Sequence, residues 1–261
     1  MIRIAALTFN GTTGADDLTG SSNADLMNGL AGADTLSGAS GNDSVYGNQD
    51  NDFLYGNAGN DSIYGGQGID IVFGGQDNDR IEGNLAADYL NGGFGDDTIY
   101  GGQGDDVILG SFGDDSLYGN LGDDELLADI GSDVLVGGGG QDRFTINLDS
   151  QNERDYIMDF DTGGFLGLGG DIIDLSAITD IADFSELRFE STTHTNLAGQ
   201  SVESTIVYIE EGFFLFSDPQ NILLVGVESE DLSFGNFRFA SDGFFGSTDD
   251  YSMEDFFFLN S

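Results

Sequence analysis

The sequence predicts an all-β solenoid, and three observations carry that prediction. From Gly11 through Thr145 the chain divides into fifteen nine-residue blocks with no insertion or deletion. Each block closes on three residues such as TIY or VIL, whose side-chain types favour extended backbone. Glycine makes up 42 of 261 residues, with a single Pro, an excess over the usual ~7 % that follows no collagen triplet. A fixed period of this kind marks stacked repeats, each copy too small to fold alone.

In chain order, residues 1–10 form a lead-in strand. Their apolar run, IAAL, is too short for a signal-peptide core or a membrane span, so no ordinary N-terminal export signal is expected. Residues 11–145 are the solenoid. The first position of each block is Gly except at Ala128, and the fourth is Gly except at Asn23, Asp50, Asp77 and Ala86. A turn built on these two positions would need positive φ, which Gly adopts freely and Asn or Asp tolerate. Ala86 fits such a turn least well, so block 83–91 is expected to hold the poorest one. The eighth position is apolar throughout, from Leu18 and Met27 to Leu135 and Phe144, and is expected to point inward, with the seventh and ninth pointing outward.

The sixth position is Asp in every block: Asp16, Asp25, Asp34, Asp43, Asp52, Asp61, Asp70, Asp79, Asp88, Asp97, Asp106, Asp115, Asp124, Asp133 and Asp142. Across the chain 48 acidic residues stand against six basic ones, all Arg, for a net charge of −42. That balance excludes nucleic acid as a direct partner, because phosphate binding needs clustered Lys and Arg. It also disfavours anionic membrane surfaces and, unless cations bridge them, acidic polysaccharides. No Cys is present, so there is no disulfide frame and no thiolate metal site. A metal-free polymer this acidic and Gly-rich should fold poorly, so the charge calls for a counter-ion.

The block pattern resembles the nonapeptide GGxGxDxUx of the RTX (repeats-in-toxin) family, with U apolar. The resemblance implies a right-handed parallel β-roll with two blocks per turn. It further implies Ca²⁺ between stacked turns, held by the sixth-position carboxylates and by main-chain carbonyls. Hard oxygen ligands select Ca²⁺, and no His or Cys array competes. Blocks bridged two apart offer at most 13 sites, and full occupancy would leave a charge of roughly −16. Metal binding is then folding free energy: the chain is expected to stay unfolded where Ca²⁺ is scarce and to fold where it is plentiful.

Alternate blocks fall on opposite sheets. One outer face carries Phe53, Tyr55, Ile71, Phe73, Tyr89, Val107, Leu109 and Leu127, a contiguous apolar patch. Two readings stand for it: burial beneath the C-terminal half, or a docking or self-assembly surface. The other face carries Tyr46, Tyr64, Tyr100 and Tyr118, either an aromatic platform for sugars or amphipathic edge packing.

Residues 146–240 read as a β-rich cap, with strand-like runs at 154–160, 186–191, 204–211 and 221–227 and a helical turn followed by a strand at 227–239. Their order resembles the capping region of serralysin-type proteases, through Asp155–Phe160, Asp171–Ser176, Asp183–Leu187 and Val227–Phe237. Asp159 and Asp171 are read as surface turn carboxylates, with a further Ca²⁺ as the alternative. Residues 241–261 form a tail in which Asp255 precedes Phe256, Phe257, Phe258 and Leu259. This resembles an uncleaved type I secretion signal, and would equally serve as an aromatic strand docked on the roll.

No H-E-x-x-H or G-x-S-x-G occurs, Lys is absent, and the lone His194 lies in a polar stretch. The expected function is therefore a non-enzymatic, secreted, calcium-binding β-roll, exported by type I machinery from a Gram-negative cell and part of a surface layer, fibre or matrix. The alternatives are a folding and export module of a larger secreted protease or lipase, and a carbohydrate-binding module. Met1 followed at once by the solenoid reads as a complete short chain.

Overall fold

A computed structural model describes residues 6–146, 154–161, 170–174, 187–195, 201–209, 220–225, 227, 232 and 236–238. Each block contributes one strand, so the all-β solenoid expected from the period is what forms. The first strands are β1 (Thr8–Asn10) and β2 (Asp17–Thr19); from β3 (Leu26–Ala31) to β15 (Val134–Gly139) every strand has six residues, and β16 (Arg143–Thr145) closes the series. Odd-numbered strands form one sheet and even-numbered strands the other, and each strand pairs in parallel with the one 18 residues along. Thus Ile63, Ile81, Ile99 and Leu117 stand in register, one above the other. Two blocks make one turn.

The strands are twice the expected length because pairing between turns runs on through the first three positions of the next block, as in Ser44–Gln49. Inward side chains come from the eighth position: Met27, Leu36, Val45, Leu54, Ile63, Val72, Ile81, Leu90, Ile99, Ile108, Leu117, Leu126, Leu135 and Phe144 are fully buried between the sheets. One apolar side chain per nine residues is a thin core, and the two outer positions of each strand are left to sheet-face packing.

Glycine plays a different part from the one expected. Positive φ falls at the second and fourth positions, not at the first and fourth. Second positions include Leu30 (φ 82), Asn48 (φ 82), Gly66 (φ 121) and Ser111 (φ 81), and fourth positions include Gly68 (φ 116) and Ala86 (φ 82). Ala86 therefore shares its left-handed backbone with Leu30, Ala39 and Ser111, and the strain is spread over several blocks. First-position glycines have ordinary φ and are required for space. A Cβ on Gly65 would collide with the Asp70 carboxylate and lie 2.8 Å from the Gly83 carbonyl oxygen.

Beyond the repeats, β17 (Arg154–Ile157) joins the odd-strand sheet, followed in space by β21 (Gln220–Val225), β20 (Ser201–Ile209) and β19 (Leu187–Thr195), the last two pairing antiparallel. On the even-strand sheet β18 (Ile172–Asp174) and β22 (Phe237–Arg238) follow β16. Four of these strands fall on the predicted runs, and they lengthen the stack at its end. Most of the helical turn expected from 227, and all of the tail at 241–261, lie outside the described residues.

Candidate metal centres along two edges

The fifteen sixth-position aspartates stand where each strand is entered, and the stacking brings them together in two ladders. One edge carries Asp16, Asp34, Asp52, Asp70, Asp88, Asp106, Asp124 and Asp142; the other carries the remaining seven. From Asp25 to Asp142 all are buried, while Asp16, on the first turn, is half-buried. The rungs interlock by one rule: the backbone N–H of each Asp donates to Oδ1 of the Asp 18 residues later. Asp52 N–H reaches Asp70 Oδ1 at 2.8 Å, and Asp70 N–H reaches Asp88 Oδ1 at 2.8 Å.

The second oxygen decides what the ladder can do. On the first turn of each edge it is satisfied locally, since Asp16 Oδ2 accepts from Thr12 N–H and Asp25 Oδ2 from Ser21 N–H, both at 2.6 Å. On the twelve rungs from Asp34 to Asp133 Oδ2 is buried with no hydrogen-bond partner. On the eleven rungs from Asp34 to Asp124 it lies beside the first-position Gly of its own block, where a Cβ would stand, close to the carbonyl oxygen of the first-position residue two blocks on, as Asp34 does with Gly29 and Gly47; in the block of Asp133 that position is Ala128. Oxygen faces oxygen across the space that glycine leaves open, and no hydrogen lies between them. Burial, the largest cause, pushes these carboxyls far above the usual 3.8: Asp52, Asp61 and Asp70 to about 7, Asp79, Asp106 and Asp115 to about 8, and Asp88 to about 9. Backbone hydrogen bonds oppose the rise, and neighbouring Asp charges add to it.

An unpartnered buried carboxylate oxygen is costly unless a proton or a cation satisfies it. Carboxylate and carbonyl oxygens together suit a hard divalent cation, and Ca²⁺ accepts such mixed shells in flexible geometry. The residues present therefore fit the metal. Among the described residues no three carboxylates converge on one point, so main-chain carbonyls would complete the shell.

A second ladder, which the period reading passed over, runs along the fifth position. Here the direction is reversed: Asp114 N–H donates to Asp96 Oδ1 at 3.1 Å, Asp123 N–H to Asp105 Oδ1 at 2.9 Å, and Ile69 N–H to Asn51 Oδ1 at 3.0 Å. The frequent Asn or Asp at this position was the available signal. These exposed side chains tie turn to turn at the rim, leaving the sixth-position rungs inside.

The flanking faces also take definite form. Tyr46 and Tyr64 stack at 4.8 Å and 7°, as do Tyr100 and Tyr118 at 4.8 Å and 10°. Their π-faces are turned toward one another along the stack, which favours edge packing over a flat sugar platform. Glu82 takes the row's intervening place, and Arg80 pairs with it at 2.6 Å while lying over the Tyr100 ring. On the opposite face Ile71 is 8 % exposed, and Phe53, Tyr55, Phe73, Tyr89, Val107, Leu109 and Leu127 are half-buried through their ladder neighbours. The described C-terminal strands pair at the end of the stack. Exposed apolar side chains cluster instead at third positions, where Phe94 and Phe112 stack at 4.7 Å.

A parallel solenoid with inward carboxylates on both edges defines a class, the metal-binding repeat protein. The RTX calcium-binding nonapeptide repeat, taken four copies at a time, matches residues 10–45, 37–72, 46–81, 73–108, 82–117 and 109–144. The chain belongs to that family and is a calcium-binding repeat protein. Among solved structures it is similar to the AlgE6R3 subunit of the Azotobacter vinelandii mannuronan C5-epimerase, with 24 % identity and a TM-score of 0.40 over 66 % of this chain and 83 % of that one. The AlgE6R2 subunit of the same enzyme shows 26 % identity and a TM-score of 0.37 over 62 % and 92 %. No curated protein matches the chain. No helix among the described residues is long and apolar enough to cross a membrane.

Proposed function

We propose that this protein is a secreted, non-enzymatic β-roll that folds when Ca²⁺ fills the two aspartate ladders outside the cell. The observation that carries the reading is the row of twelve buried Oδ2 atoms with no hydrogen-bond partner. The sixth-position aspartates from Asp16 to Asp142 are the ligands in this reading, led by the twelve whose Oδ2 has no partner, and Asp16 and Asp25 would exchange the Thr12 and Ser21 amides for metal. Without metal each buried rung must keep a proton at neutral pH or hold an uncompensated charge in a low-dielectric edge, and either costs stability that the thin core supplies only sparingly. Where Ca²⁺ is scarce the chain stays extended and can be threaded through a type I export channel; where it is abundant, binding drives folding. The carboxylates best suited to acid–base chemistry are committed to backbone amides, which supports a structural role in a surface layer, fibre or matrix.

Circular dichroism and sizing of the purified chain, in millimolar Ca²⁺ and then in excess chelator, test this. A reversible change from β-structure to expanded coil is expected. An unchanged spectrum in chelator would sink the reading.

A further inference from the structure

The first position of each block sets how much room its rung has. On the eleven rungs from Asp34 to Asp124 a Cβ on the first-position Gly would collide with the Asp Oδ2 and crowd the carbonyl oxygen of the first-position residue two blocks on. An ion fits where that Cβ does not, because Ca²⁺ lies about 2.3–2.6 Å from its oxygens while a methyl carbon keeps other heavy atoms at roughly 3.5–4.0 Å.

The edge that carries Asp133 breaks the pattern. Its first positions run Gly92, Gly110, Ala128 and, 18 residues further, Ile146, whereas the other fourteen blocks all begin with glycine. Ile146 stands in step with them. Its N–H donates to the Asp174 carbonyl at 3.2 Å where Thr145 pairs with Asp174, just as Gly20 N–H donates to the Ser37 carbonyl where Thr19 pairs with Ser37. Glycine thus gives way to a methyl and then to a branched side chain, and both Ala128 and Ile146 are buried in the apolar core. Asp133 keeps the ladder bond, its Oδ1 accepting Asp115 N–H at 2.8 Å. Of the twelve unpartnered Oδ2 atoms, its own is the one in a block without first-position glycine.

Past this point backbone amides carry the ladders on. Asp133 N–H donates to Asp155 Oδ1 at 3.2 Å across 22 residues, and on the other edge Asp142 N–H donates to Asp171 Oδ1 at 3.0 Å across 29. Asp171 is buried and also accepts Asp161 N–H on Oδ2 at 2.7 Å, so its surface-turn reading fails. Beside it Asp159 accepts Gly137 N–H and Gly138 N–H, one on each oxygen, both at 2.9 Å.

We propose that the first-position side chain decides which rungs admit Ca²⁺, and that the Ala128 methyl closes the cap-ward side of Asp133. The metal ladder on that edge then ends at the ion shared by Asp115 and Asp133. This rests on the reading of the repeat rungs as calcium ligands. Before Ala128 successive coils are joined by cations between oxygens; from Ala128 onward that edge is joined by apolar packing and ladder amides.

The test counts Ca²⁺ bound to the full chain after equilibrium dialysis, for wild type, A128G, G65A and an internal rung, D88N. A128G is expected to bind one ion more than wild type. G65A sets beside Asp70 the methyl that Ala128 sets beside Asp133, and is expected to bind one fewer; D88N should bind one or two fewer. If G65A binds the wild-type number while D88N loses ions, the first position does not control metal, and the proposal falls with the repeat reading intact. A wild-type count for A128G overturns the assignment to Ala128. If D88N also binds the full number, the repeat reading itself fails. Should a variant not fold, calcium anomalous scattering from wild-type crystals replaces its count. A last peak between Asp115 and Asp133 on this edge supports the proposal, and a peak on Asp133 Oδ2 beside Ala128 overturns it.

Discussion

Replacing Asp88 by Asn should move stability in opposite directions with and without calcium. Asp88 is fully buried, its Oδ1 accepts Asp70 N–H at 2.8 Å, and its Oδ2 has no partner. Asn preserves the Oδ1 bond and can turn an N–H toward the facing Gly101 carbonyl. Burial raises the Asp88 carboxyl from 3.8 to about 9. At pH 7.4 the folded, metal-free chain must therefore keep a proton that the unfolded chain has lost. Over 3.6 pH units that costs about 5 kcal/mol, at ~1.36 kcal/mol per unit, and the neutral amide removes it. With calcium the sign reverses. Asp88 serves the rungs at both Asp70 and Asp106, so D88N removes up to two ions from the dependence of stability on log[Ca²⁺]. The slope falls by about 2.7 kcal/mol per tenfold change in free Ca²⁺. The two lines should cross roughly two decades above the site dissociation constant, with D88N more stable below and wild type above. Urea unfolding followed by circular dichroism across buffered Ca²⁺ measures both lines. Parallel lines would refute the assignment of Asp88 as a ligand.

Other consequences follow from the same geometry. The raised carboxyls, at about 6 for Asp43 and Asp124 and about 8 for Asp79 and Asp115, bind more protons folded than unfolded between 3.8 and those values. The metal-free roll should therefore lose stability as pH rises from about 4 to the raised values of about 6–8, and regain it on acidification toward 4, read as recovery of β-structure in chelator. In calcium the proton becomes a competitor, and the half-saturating Ca²⁺ concentration should rise as pH falls from 8 to 6, seen by titration calorimetry. Gly65→Ala drives a Cβ into the Asp70 carboxylate and toward the Gly83 carbonyl, and should lower calcium-loaded stability by about 1–3 kcal/mol in thermal melts. Leu30→Gly relieves a left-handed backbone (φ 82) at a 43 %-exposed side chain. It should leave stability unchanged or raise it by up to ~1 kcal/mol, where an ordinary strand position would lose that much.

These tests separate what the period shows from what it hides. Contacts between identical copies repeat at a fixed spacing, so the eighth-position core and the sixth-position ladder were both legible: each rung sees another like itself 18 residues away. The reason for a conserved spacing is not contained in it. First-position glycine was assigned to a turn, yet its φ is ordinary and its role is to leave room beside the Asp carboxylate, a fact of the neighbouring turn and invisible within the block. The fifth-position Asn and Asp side chains were visible but unassigned, because reversed donation to an earlier turn has no local signature. Asp155 and Asp171 are the limiting case. They occupy rungs by stacking while standing 22 and 29 residues from their partners, so the strand register is kept across a spacing that the period does not contain. Chemistry in a solenoid is fixed by the rung, and the rung need not belong to the repeat.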